Sequence, residues 1–340
     1  MALWTDLIEP ADLTGYARRS LEEYEAEKGT LARFLPNREV VDTVVRFISG
    51  RKGLVEEARF RAFDAEPEVG KGEPAKRTIL ELPALGQNIP VSEYEQLRTR
   101  NGGGDSDDLV RNAILRTTDR VVRAVADRIE KLRGVVLNTG IATIPELGAA
   151  DSFGRSDSHN VTASTLWTDP DADRLAFLEQ ITDVYRETNG VEPGAIVVTN
   201  RVFRALAGGD QFRVQLINGA SRPATDADVR GIVTGAGLPD IIRYDRRTSS
   251  GKVLDDSKLF LLPAPVDTDD WAGTELGATF WGQTLTSTDE RFGIEPAEQP
   301  GIVAGVYRGE KPPLIAEVVS DAIAMPVLAN ADLSLAAKVL

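Results

Sequence analysis

Residues 105–133 constrain this chain more than any other stretch, because they read as a single long helix with one apolar stripe. Asp105 or Ser106 can serve as N-cap, and Asp107 and Asp108 put negative charge on the first turn, where free N–H groups and the helix dipole favour it. Val110, Ile114, Val121, Val125, Ile129 and Leu132 recur at spacings of three, four or seven. Arg111, Arg116, Arg120, Arg123, Asp127 and Lys131 fall off the stripe, and the arginines from Arg111 to Arg133 are expected to serve neighbours or solvent. Gly134 is the expected stop. At 1.5 Å per residue the helix would span roughly 40 Å, longer than a small domain is wide. Such a rod is a spine on which thinner elements are laid out.

The flanking segments look too thin to bury themselves. Residues 1–50 are a mixed, loosely helical segment, with a short helix opening at Pro10 and carrying Tyr16 and Leu21. Val40, Val41, Val44, Val45, Phe47 and Ile48 crowd apolar groups just before Ser49-Gly50, without an obvious local partner. Residues 55–85 read as a long hairpin with strands at 58–63 and 77–82, joined by a tip rich in Glu, Pro, Gly and Lys. A lone two-stranded ribbon is marginal in water, so neighbours are expected to order it. Asn101 and the three glycines after it form a hinge-like turn before the spine. Beyond Gly134 the pattern is α+β. Helices are expected at 169–188, 201–207 and 225–233, and strands at 194–199, 241–245, 258–262, 278–281, 302–307 and 314–324.

Composition bounds the function. With 340 residues, 42% hydrophobic and 27% charged, the chain has the make-up of a soluble globular protein of one elaborated domain or two ordinary ones. No apolar run approaches the ~18 residues of a membrane helix, and no signal-peptide pattern opens the chain, so synthesis in the cytosol is expected. Cysteine is absent, which removes disulfides, thiolate metal sites and thiol catalysis. The net charge is −14; nucleic acid held by electrostatic attraction would want a basic patch, and no dense basic tract with interleaved aromatics appears. Acidity on this scale favours solubility and repulsion between chains. It also suits a container that must not stick to its contents.

A search for chemistry finds little. The only histidine, His159, sits in the polar run Ser156-Asp157-Ser158-His159-Asn160 and is expected to be a solvated loop residue. A triad needs its members brought from separate elements into a defined geometry. A single histidine also rules out the His-pair zinc motif. Asp169, Asp171 and Asp173 resemble the start of a calcium loop, but Arg174 stands where its glycine belongs and Gln180 where its last glutamate belongs. These aspartates read instead as helix caps. Lys71 between two glycines and Lys252 after Ser250-Gly251 lack phosphate-loop spacing. The pairs Glu22/Glu23 and Asp255/Asp256 read as surface. No catalytic, cofactor-binding or metal site is expected.

The order of parts resembles the major capsid proteins of tailed bacteriophages, most closely the lambda-like capsid protein E family. Arg128 through Glu130 and Arg133 to Leu137-Asn-Thr-Gly140 is similar to that family's spine-helix end. Gly237-Leu-Pro239 through Tyr244-Asp245 is similar to its central strand and preceding turn, and Ala322 through Met325-Pro326 to Asn330 and Asp332 to its closing strand. The resemblance implies a non-enzymatic α+β structural protein of the tailed-phage major capsid fold. Residues 1–54 would be the N-terminal arm and 55–90 the extended β-hairpin loop over a neighbour. Residues 91–140 and 301–340 would form the peripheral domain, with spine helix 105–133, and 141–300 the axial domain. Arg59, Phe60, Arg61, Phe63, Lys71, Lys76, Ile79 and Leu82 are the candidate intersubunit contacts, and Gly50, Gly102 to Gly104, Gly208 and Gly209 the candidate hinges.

The resemblance further implies pentamers and hexamers closing into an icosahedral head around double-stranded DNA held without sequence-specific contacts. It implies a portal, a separate scaffolding protein and a place for a decoration protein, with assembly in the host cytoplasm. A chain starting so near its arm, without a scaffolding extension, points the same way. Lys71 or Lys76 cross-linked to Asn330 of a neighbour is the one chemical possibility, and a single monomer band from boiled particles is the expected result. Two rivals stand beside this reading. An encapsulin-type nanocompartment shares the fold and differs in housing a cargo enzyme, and an acidic hydrolase would be a small discrete oligomer.

Overall fold

The structure is a computed structural model that describes residues 1–49, 76–100, 106–215 and 221–340. Its organising element is helix α3, Ser106–Thr139, 34 residues and about 50 Å long. Asp107 and Asp108 occupy its first turn; Ser106 is already helical, and Asp105 lies outside the described residues. The helix does not stop at Gly134 as its sequence suggests. A Cβ there would lie 2.3 Å from the Val253 carbonyl oxygen, so the glycine lets the rod and residue 253 approach closely. The real stop is Gly140, at φ +72°, whose N–H closes on Val136 O at 2.8 Å.

The six stripe residues are all at most 6% exposed, but they serve two cores. Val110, Ile114, Val121, Val125 and Ile129 pack with Trp281, Ala304, Val306, Ala316, Val318, Ala322 and Ala324. Leu132 belongs to the second cluster, with Val136, Leu137 and the strands beyond. One sheet therefore lies along the rod and the other meets its C-terminal end.

The first sheet is centred on Ala316–Leu328, flanked on one edge by Ala84–Val91 and on the other by Val303–Arg308 and, further along, Gly277–Gly282. Ala2–Leu3 and Asn37–Glu39 extend it at its two ends. Along the central strand the burial alternates, with Ala316, Val318, Ser320, Ala322 and Ala324 buried. Four of these five are alanine or serine, which lets α3 sit close. The second sheet runs Asp240–Arg243, Ala195–Val198, Lys258–Leu262, Leu335–Lys338 and Asn160–Thr162. Its outer strands pair in parallel and its inner ones antiparallel. Both sheets thus recruit strands from the last part of the chain.

Helices α4 (Arg174–Asn189), α5 (Asn200–Ala207) and α6 (Asp226–Gly235) surround the second sheet. The acidic run at 169–173 ends in a cap: Asp173 accepts from Ala176 N, so α4 starts at Arg174 rather than at 169. Thr225 and Asp228 form a reciprocal capping box on α6. Gly208 and Gly209, after α5, both have negative φ. The other candidate hinges lie outside the described residues.

The first 49 residues have partners within the subunit, contrary to the sequence expectation. Helix α1, Pro10–Lys28, opens with Pro10 at its first position and closes at Gly29 (φ +77°). It buries Leu13 and Ala17 against α3 and the strand Val303–Arg308, and Thr14 donates to Ala304 O at 3.3 Å. The strand Val44–Ser49 pairs antiparallel with Lys76–Glu81, from Val44↔Glu81 to Ser49↔Lys76. The ladder described for residues 76–81 is thus formed with the end of the arm, and the strand expected at 58–63 lies outside the described residues.

Candidate functional site: an arm clasped to the spine helix

Around the last turns of α3, side chains separated by about a hundred residues close into one buried polar cluster. Arg133 was expected at the surface, yet it is fully buried, as is Glu130 one turn earlier. The structural reason is visible in α3 itself: Leu132, Val136 and Leu137 are buried, so this end of the rod is enclosed on nearly every side. A charge enclosed that way must be paired. Arg133 Nη1 donates to Glu25 Oε1 at 2.8 Å, Glu130 Oε2 at 2.9 Å and Thr30 Oγ1 at 3.1 Å. Its Nη2 donates to Asn37 Oδ1 at 2.7 Å and its Nε to Thr279 Oγ1 at 2.9 Å. Thr279 passes its own proton to Leu35 O at 2.9 Å, and Trp281 Nε1 donates to the same Asn37 oxygen.

Glu130 is saturated as an acceptor. It takes the Leu31 backbone N–H at 2.7 Å, the Thr30 hydroxyl at 3.1 Å, the Tyr244 hydroxyl and the Arg133 guanidinium. Burial drives the Tyr244 phenol far above its ordinary range, and the Glu130 charge adds to this. For Arg133, burial opposes the charge, but Glu25 and Glu130 together outweigh it and hold the pKa up. Nearby, Arg246 donates to Gly29 O at 2.9 Å and Asp127 Oδ1 at 3.0 Å, and its guanidinium lies 5.0 Å from the centre of the Tyr24 ring. This arrangement contains no nucleophile beside a free base. It fastens the arm, through Glu25, Gly29, Thr30, Leu31 and Asn37, to the spine helix, to the strand Gly277–Gly282 and to the Tyr244 segment.

A second buried polar knot corrects the reading of His159. The ring is fully buried, stacked on Tyr185 with centroids 6.0 Å apart, and neither nitrogen makes a hydrogen bond. Ser156 and Asn160 make it look like a loop residue, but Tyr185 and residues 332–334 close over it. Arg155 beside it donates to Leu137 O at 2.7 Å and Asn160 Oδ1 at 2.7 Å, and burial lowers its pKa to about 10. Burial is also the largest influence on His159 and lowers its pKa below 6.5, opposed by Asp332 and the nearby backbone and aided by Arg155. Because the folded value lies below the unfolded one, the unfolded chain takes up the proton first. Stability is full above about pH 6.5 and falls as pH drops from there toward the folded value. His159→Phe should therefore flatten the fall in melting temperature between about pH 7 and pH 5. Parallel melting curves for the two proteins would overturn this.

Among the candidate contact residues, Ile79 is 62% exposed and Leu82 is buried. Lys76 pairs through its backbone with Ser49. Arg59, Phe60, Arg61, Phe63 and Lys71 lie outside the described residues. Asn330, the cross-link candidate, is buried within the subunit, with its N–H on Leu276 O. Val41, one of the apolar groups the sequence left without a local partner, is exposed, and so are Tyr94 and Leu97 on α2 (Glu93–Arg100) and Leu285, which the sequence reading did not single out. Among the described residues no cluster of metal-ligating side chains forms, and no helix is long and apolar enough to cross a membrane.

A mixed α/β subunit with a long spine helix along one sheet, a second sheet at its end and a clasped arm has the fold of tailed-phage capsid proteins. The profile of the phage major capsid protein E family matches residues 21–275, and the chain belongs to that family. It is accordingly a structural protein, the major capsid protein of a tailed phage, found in the shell of the virion. The fold is similar to a solved prophage capsid protein of E. coli CFT073, with TM-score 0.61, 16% identity, and 98% of this chain and 99% of that one covered. It is also similar to a phage-related protein of Bordetella bronchiseptica RB50, with TM-score 0.60, 14% identity, and 99% and 98% covered. A third similar structure is the capsid of a native GTA particle, with TM-score 0.50, 11% identity, and 91% and 89% covered. None of the curated proteins compared matches the chain in sequence.

Proposed function

We propose that the chain assembles as pentamers and hexamers into an icosahedral head enclosing double-stranded DNA, and that it has no catalytic activity of its own. The observation that carries this is the ribbon Val44–Ser49/Lys76–Glu81, a two-stranded ladder with Ile79 exposed on it. A ladder of two strands is marginal alone and gains stability when a neighbouring subunit covers it. Residues 1–54 act as arm and 55–90 as extended loop, the ribbon joining the two, with 91–140 and 301–340 as peripheral domain and 141–300 as axial domain. Arg59, Phe60, Arg61, Phe63, Lys71, Lys76 and Ile79 are the residues proposed to meet neighbours, whereas Leu82 is taken up in the subunit's own core. An acidic hydrolase would need free carboxylates in an enclosed site; Glu25 and Glu130 are taken up in the clasp, and buried Asp332 accepts from the Ser156 N–H and hydroxyl. Assembly takes place in the host cytoplasm with a scaffolding protein and a portal, and a decoration protein finds a place on the finished shell.

Electron microscopy of the purified protein tests this. Five- and six-membered rings or closed shells are expected, filled with duplex DNA when taken from infected cells. A small discrete oligomer would overturn the reading in favour of an enzyme. A shell filled with a cargo protein would overturn it in favour of a nanocompartment.

A further inference from the structure

The exposed side of α3 carries arginines that the clasp does not use. Arg116, Arg120 and Arg123 recur one turn apart on the side opposite the apolar stripe, and all three are exposed. None has a carboxylate oxygen within 4.0 Å among the described residues. The acids on this side of the helix are engaged elsewhere. Asp119 accepts from Ser20 at 2.8 Å, and Asp127 accepts from Tyr24 at 3.2 Å and Arg246 at 3.0 Å. Arg128, by contrast, is tied to Glu146 at 2.7 Å. At its C-terminal end the row reaches a groove of about 360 Å³ between α1 and α3. There the Arg123 guanidinium lies 5.5 Å from the centre of the Tyr24 ring, near the exposed Arg19. Glu23 and Glu27 stand in the same groove, with Glu27 held by Lys28 at 2.8 Å.

The chemistry of this face selects its partner. A protein surface would need apolar anchors at the centre of its interface. None of the large apolar side chains exposed among the described residues lies on α3. A phosphate backbone needs no such anchor, only cations at intervals, and a helix places them about 5–6 Å apart. We propose that Arg116, Arg120 and Arg123 contact the phosphate backbone of the duplex DNA inside the head. This rests on the reading of the chain as a DNA-enclosing shell. In a chain of net charge −14 such a row makes a sparse set of contacts on an otherwise repelling wall. Its contacts are weak singly and repeated with every subunit.

The test titrates the purified full-length protein, before assembly, with a random-sequence duplex of roughly 30 bp between about 50 and 200 mM salt. The logarithm of affinity should fall with log salt at a slope of about −3, ~0.9 per phosphate contact. The triple variant R116Q/R120Q/R123Q should lose at least about tenfold in affinity and most of that slope. R128Q should keep the wild-type slope. Unchanged binding by the triple variant, or no wild-type binding at the lowest salt, overturns the proposal. Tighter wild-type binding to poly-glutamate than to DNA overturns it in favour of an acidic protein partner. Microscopy of the same preparations separates the two levels. Shells with unchanged DNA affinity in the triple variant refute the row alone, whereas a wild type that never forms shells refutes the shell reading.

Discussion

Replacing Arg133 with methionine should destabilise the subunit by about 3–5 kcal/mol, because the substitution leaves Glu25 and Glu130 buried without their shared cation. Methionine keeps arginine's stem, so the effect reads the loss of the guanidinium, with its charge, its five donated hydrogen bonds and the space it fills. A loss of this size is a large fraction of the roughly 5–15 kcal/mol that holds an ordinary domain together. The arm should loosen first. Asn37 would lose its bond from Nη2, Thr279 its bond from Nε, and Glu25 its bond from Nη1, while Leu31 N–H still reaches Glu130. Denaturant unfolding and limited proteolysis near Gly29 measure both effects. Tyr244→Phe is the milder comparison. It removes one of the four donors to Glu130 and leaves the ion pair intact, and it should cost about 1–2 kcal/mol. If R133M unfolds within about 1 kcal/mol of wild type, the clasp is not what holds the arm.

That clasp was only half legible from the chain. Glu130 and Arg133 are three apart, a spacing that places them side by side on a helix. Read with the run Val135-Val136-Leu137, they signal a helix end with apolar groups all round. What no local pattern supplies is the other half: Glu25, Thr30 and Asn37 lie about a hundred residues away and Tyr244 further still. Gly134 misled for a related reason, since a glycine after a helical run normally marks its end, and only the approach of Val253 reveals its purpose. His159 misled because its sequence neighbours are polar, whereas its burial comes from Tyr185 and residues 332–334. The apolar stripe of α3 was legible because helical periodicity is a local property. Three strands of the second sheet, Ala195–Val198, Asp240–Arg243 and Lys258–Leu262, were legible from local apolar runs, whereas Asn160–Thr162 and Leu335–Lys338 were not. Their pairing order, which takes Leu335–Lys338 between Lys258–Leu262 and Asn160–Thr162, depends on contacts that span most of the chain.

Val121→Asp should prevent the subunit from folding. Val121 is 1% exposed, midway along the rod, in the cluster that α3 shares with Ala304, Val306, Val318 and Ala322. The cluster around it is aliphatic apart from Trp281, with Trp4 packed against its edge. A carboxylate placed there must either be buried unpaired or take up a proton at the expense of stability, each costing several kcal/mol. The helix cannot turn the group outward, because the same rotation would expose Val110, Ile114, Val125 and Ile129. Val121→Thr isolates the charge from the change of shape. Thr117 and Thr118, one turn earlier, already donate their hydroxyls to the carbonyls of Ala113 and Ile114 at 2.8 and 3.0 Å. A threonine at 121 could satisfy its hydroxyl the same way on Thr117 O, so V121T should fold with a loss of about 1–2 kcal/mol. Soluble yield, circular dichroism and particle counts by microscopy distinguish the two variants. Particles from V121D in normal yield would mean that this face of α3 is not sealed against the sheet. Failure of V121T as complete as that of V121D would mean that fit at this position, rather than charge, decides whether the subunit forms.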